Sequence, residues 1–101
     1  MISDGKEDYE LVYGMKRLQL CEQALGNRSV LQCFTGVPSV HDLLTICAYG
    51  MRRAGKESWV SPTQGYAAAE RAMEEGGFMP LYREASEALE RDCGFLFLNQ
   101  Q

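Results

Sequence analysis

Glycines and capping residues divide this chain into helix-sized blocks, and that punctuation constrains the fold more than any single motif does. The clearest block is SPTQGYAAAERAMEEGG, where Ser61 stands as N-cap, Pro62 takes the first helical position and Gln64 follows three residues after the cap, within reach of the Ser61 amide. Tyr66, Ala69, Ala72 and Met73 give it a narrow apolar face, and Gly76-Gly77 close it. Ahead of Gly26-Asn27, Tyr9, Val12, Met15, Leu18, Cys21, Ala24 and Leu25 recur at three- and four-residue steps. That spacing reads as an amphipathic helix from about residue 8, although YELVY also fits a short strand feeding a helix that begins near Gly14. SVLQCF, with Ser29 as cap, makes at most two turns before Gly36 and Pro38. SVHDLLTICAYGMRRAG opens with Ser39 and Asp42 spaced as a capping box, and it places Arg52-Arg53 in a last turn where cations suit the helix dipole. Val40, Leu43, Leu44, Ile46, Cys47 and Met51 make this the most apolar block and the expected centre of the core. A final block, with Pro80 near its start, puts Leu81, Tyr82, Ala85, Ala88 and Leu89 on one face and stops at Gly94.

Helical blocks joined by short loops, without a convincing strand pair, predict an all-α fold: a compact bundle of four to five short helices with at most a vestigial amino-terminal strand. With 101 residues, 46% hydrophobic and 24% charged, the chain has the composition of one soluble domain covering residues 1–101 and no room for a second core. The apolar run Phe95-Leu96-Phe97-Leu98 follows the last helix, at the head of a tail over residues 95–101. Such a run needs a surface to dock on, in the same subunit, in a neighbour or in a client.

The charge is −4, and the ten Lys and Arg are adjacent only at Lys16-Arg17 and Arg52-Arg53. Without a basic stripe to displace phosphate counterions, nucleic acid is not an expected partner. No apolar run nears the ~20 residues that span a bilayer, so no membrane association and a cytosolic location are expected. Cys21, Cys33, Cys47 and Cys93 contain no close pair and each falls on an apolar stripe, which reads as free buried thiols in place of a metal or cofactor site. A Cys47 and His41 pair brought together by tertiary packing is the one nucleophile candidate, and nothing local marks it; no enzyme is expected. Glu70, Glu74, Glu75, Glu84, Glu87 and Glu90 read as solvated helix faces. The run Tyr66-Ala67-Ala68-Ala69 permits close approach of another helix, more commonly one of the same chain. A partner-binding surface would draw on Phe95, Leu96, Phe97 and Leu98, together with Met73 and Tyr66.

Taken in order, these features resemble the phage tail assembly chaperones. Tyr13-Gly14, Leu18, Glu22 and Leu25-Gly26 match the family's opening, an apolar stretch ending in an aromatic and Gly and then a helix with Leu, Glu and a terminal Leu-Gly. SVHDLLTICAYGMRRAG, SPTQGYAAAERAMEEGG and FMPLYREASEALERDCGFL are similar to its later helices, so the likeness spans about residues 9 to 97. The family often begins with a small β-hairpin, of which this chain shows at most the stub ELVY. The resemblance implies a non-enzymatic, self-associating protein in the cytoplasm of a bacterium that carries a phage or prophage. Such a protein coats the tape measure protein, recruits tail tube subunits around it and is absent from the finished virion. In some relatives a frameshift near the gene's end appends a further domain. Two other readings stay open: a small phage-encoded inhibitor or adaptor that binds stoichiometrically, and a helix-turn-helix regulator using the helix at 61–75, which the acidic balance opposes.

Overall fold

In the computed structural model, which describes residues 2–97, the chain runs through β1 (Ile2–Ser3), β2 (Asp8–Leu11), α1 (Met15–Ala24), α2 (Val30–Cys33) and α3 (Val40–Gly50). It continues through β3 (Met51–Arg53), α4 (Pro62–Gly76) and α5 (Phe78–Asp92) to a 3₁₀ turn, Gly94–Phe97. The structure is mostly helical, but the all-α expectation is corrected by an antiparallel sheet ordered β1-β2-β3, with Ile2 opposite Tyr9 and Leu11 opposite Met51.

The helix expected from about residue 8 begins instead at Met15, and residues 8–11 take the strand alternative. Tyr9 and Leu11 point into the core while Asp8 and Glu10 face outward, an alternation of period two that burial enforces over the three- and four-residue spacing. The turn before β2 is built by Asp4, whose Oδ1 accepts the amides of Lys6 and Glu7, each at 2.9 Å, while Gly5 takes a left-handed φ of 91°.

Ser39 caps α3 as expected, its Oγ accepting the Asp42 amide at 3.0 Å. The helix stops at Gly50, short of the last turn assigned to Arg52-Arg53. The Gly50 carbonyl accepts the Val12 amide at 2.8 Å, so the acceptor that another helical turn would use is taken by the segment after β2. Met51 then turns inward as the first residue of β3. Arg52 and, from α1, Arg17 lie over the Trp59 ring with guanidinium carbons 5.2 and 4.9 Å from its centroid, so one member of each basic pair serves a cation–π contact inside the fold.

The Ser61 cap and Pro62 start α4 where the sequence placed them, with Ser61 Oγ accepting the Gln64 amide at 3.2 Å. The small residues that follow pack on the chain's own α3: Ala68 and Ala69 are buried, and a Cβ added to Gly65 would lie 2.6 Å from the Ala48 carbonyl oxygen. Gly77, at a left-handed φ of 95°, separates α4 from α5. Leu81, Ala85, Ala88 and Leu89 face inward as expected, and Tyr82 is left half-buried. Cys21, Cys47 and Cys93 are buried free thiols and Cys33 is half-buried. Among the described residues no helix is long and apolar enough to cross a membrane.

The α3–α4 crossing generates a paired prediction. Gly65→Ala should cost roughly 1–3 kcal/mol, because backbone must move to admit one methyl. Gly36→Ala, with open space around it and no left-handed φ, should be neutral or stabilising by up to ~1 kcal/mol. Urea unfolding of both variants checks this, and equal midpoints would contradict the close crossing.

Candidate protein-binding surface

A surface that carries aromatic side chains is set by the placement of α2, which at four residues is too short to hold itself. Gly26 and Asn27, both left-handed at φ 71° and 65°, turn the chain out of α1, and the Asn27 amide returns to the Glu22 carbonyl at 2.8 Å. Ser29 caps α2 through the Gln32 amide at 3.1 Å, and the Glu22 carboxylate accepts the Val30 amide at 2.9 Å. Arg28 then fastens this corner to α3 with a bidentate pair to Asp42, both bonds 2.7 Å, while its Nε donates to the Leu25 carbonyl at 2.9 Å. With Val30 fully buried as the anchor, Leu31 and Phe34 are held toward α5.

Phe34 stacks on Tyr82 of α5 with ring centroids 5.4 Å apart, and Tyr82 stacks on Phe78 at 6.1 Å. Two of these rings, Phe34 and Tyr82, border a cleft of about 200 Å³, whose walls include Leu31, Ser86, Leu89 and Glu90. Leu96 closes one end: the 3₁₀ turn after the buried Cys93, with the Leu96 amide bonded to the Cys93 carbonyl at 2.9 Å, brings it back onto α5. Phe95, on the same turn, remains 42% exposed.

The residues expected to bind a partner therefore separate. Leu96 lines the cleft and Phe95 sits exposed beside it in the chain, whereas the Phe97 side chain and Leu98 lie outside the described residues. Met73 packs half-buried against the core and does not line the cleft. Tyr66 belongs to another surface, where its hydroxyl meets His41 Nδ1 at 3.0 Å over a shallow depression between α3 and α4. The sequence reading missed Phe34, Phe78 and Tyr82. The signal was the four-residue spacing of Phe78, Tyr82 and Ser86, which forms a stripe beside the core stripe of Leu81, Ala85 and Ala88.

The thiol chemistry considered for Cys47 finds no assembled site. Cys47 is fully buried and burial pushes its thiol well up, as it pushes Cys21 up to about 12, while the exposed His41 ring is engaged by Tyr66. Among the described residues no group of three or more His, Cys, Asp or Glu side chains is arranged to hold a metal ion. No family model, curated protein or solved structure matches this chain.

The corner that holds α2 should respond to acid. The Arg28 guanidinium, with help from Ser39, keeps the Asp42 carboxyl below its ordinary value, so the pair contributes stability that is complete above the unfolded value of ~3.9 and disappears as pH falls through the lower folded value. Asp42→Asn is therefore expected to destabilise by a constant amount from about pH 5 to 8, with the gap to the parent narrowing below about pH 4. Urea midpoints measured across that range decide it; a gap that persists unchanged at about pH 3 would contradict the assignment.

Proposed function

We propose that this protein is a phage or prophage tail assembly chaperone, which binds apolar helical segments of the tape measure protein without catalysis and helps recruit tail tube subunits around it. The observation that carries the reading is the aromatic cleft lined by Phe34, Tyr82 and Leu96, with Phe95 exposed beside Leu96 in the chain. Phe and Tyr give large contact area at low entropy cost, and a shallow apolar cleft suits many weak, reversible contacts along one filament. Further support comes from the antiparallel pairing of β1 and β2 ahead of α1, a feature of the resembled family of which the sequence shows at most the stub ELVY. On this reading the protein works in the host cytoplasm, as one of many copies on a tape measure, and leaves before the virion is complete.

Co-expression with the tape measure protein of the same phage tests the proposal. The expected outcome is a client that stays soluble and co-purifies with this protein. Tyr82→Ala combined with Phe95→Ser should weaken that complex roughly thirtyfold, the scale of losing one interface hot spot, while lowering the melting temperature by only about 4–8 °C. A client that precipitates regardless, or a double variant that binds as the parent does, would exclude the cleft as the gripping surface.

A further inference from the structure

The aromatic cleft already holds an occupant from its own chain. Beyond α5 the backbone is anchored as far as Cys93, which is fully buried and whose amide bonds the Leu89 carbonyl at 2.7 Å. The 3₁₀ turn Gly94–Phe97 then folds back, and of its described side chains Leu96 alone reaches the cleft. It lies half-buried where Leu31 and Phe34 form the α2 wall and Tyr82 and Leu89 the α5 wall.

Those two walls are fixed by the fold. Val30 is buried, the Arg28–Asp42 pair and the Glu22 carboxylate hold the α2 corner, and Tyr82 and Leu89 stand on a 15-residue helix whose inner stripe is core. Leu96 is attached differently. The bond from its amide to the Cys93 carbonyl at 2.9 Å closes the turn on itself and ties it neither to α2 nor to the body of α5. A four-residue 3₁₀ turn has little stability of its own, so the packing of its side chains decides whether it stays down.

We propose that Leu96 is a displaceable stand-in for a client side chain: the turn straps the cleft while no client is bound, and a leucine or phenylalanine on a client helix takes its place. The occupant in the structure argues for the ligand. What the cleft accepts in cis is an aliphatic side chain carried on a helical turn, the unit that an amphipathic helix repeats along its apolar face. One half-buried leucine favours the strapped state by only a small factor, and the apparent affinity for a client falls by that same factor. The strap covers apolar surface in the free protein and makes client release easier.

The inference rests on the reading of this cleft as the gripping surface, not on the identity of the client. The test measures fluorescence anisotropy of a fluorescein-labelled, uncharged amphipathic helix of leucine, alanine and glutamine, about 18 residues long, mixed with the full chain or its variants. Leu96→Ser should bind this peptide roughly three- to tenfold more tightly than the parent, and adding Tyr82→Ala should remove that gain. Urea unfolding of Leu96→Ser should keep a single transition with the parent's slope. Leu96→Ser that binds no better than the parent overturns the strap and leaves the cleft as a gripping surface. A variant that fails to fold places Leu96 in the core and overturns it too, and a peptide that neither chain binds excludes the cleft as a site for apolar helices, and the strap with it. A gain from Leu96→Ser without co-purification of the tape measure protein would support the strap and count against the chaperone reading alone.

Discussion

Tyr13 gives its amide to the Asp92 carboxylate at 2.9 Å, its hydroxyl to the Ile46 carbonyl at 2.6 Å, and its ring to the bare Cα of Gly50. One residue thus joins the chain after β2 to the end of α3 and the end of α5. The hydroxyl is fully buried, so its bond is costly to leave unmade, and a side chain at position 50 would expel the ring. This joint, together with the Arg91 bond to the Leu11 carbonyl at 2.6 Å, holds the end of α5 against the sheet.

α5 is amphipathic in more than one sense. Its innermost stripe of Leu81, Ala85, Ala88 and Leu89 belongs to the core, where α3 and the α3–α4 crossing supply the rigid backing. On one side of that stripe lie Phe78 and Tyr82, matched by Phe34 from an α2 that buried Val30 and the bonds of Arg28 and Glu22 hold in place. On the other side lie Glu84 and Glu87 over the edge of the sheet. Binding surfaces built on a rigid helix in this way keep the ordering cost of association low.

Much of this was legible in the sequence where the signal was local. The caps at Ser29, Ser39 and Ser61 each accept the amide three residues on, and the turns at Gly26 and Gly77 fall where the glycines stand. The sheet was not legible, because β1 and β3 are two and three residues long, too short to show an alternation, and β3 pairs with β2 across some forty residues of chain. Over so few residues, Tyr9, Val12 and Met15 fit a helical period as well as Tyr9 and Leu11 fit a strand. Arg52-Arg53 suited a helix end on charge grounds, and the competing demand came from the Val12 amide and Trp59, both remote in the chain. For the candidate surface, the apolar run at 95–98 supplies Leu96 to the cleft wall and the exposed Phe95, and its remaining side chains lie outside the described residues. The stacked rings Phe34 and Tyr82 lie 48 residues apart, so the Phe78–Tyr82 spacing marks the α5 side of the stack and nothing local to Phe34 marks the other.

Amide hydrogen exchange of the protein, free and mixed with the tape measure protein proposed as its client, tests the central claim most directly, since it reports on each backbone segment. The account predicts added protection concentrated in α2 and along α5 from Phe78 to Glu90, with α1 little changed. Protection confined to the α3–α4 depression around His41 and Tyr66, or no added protection in α5, would contradict it.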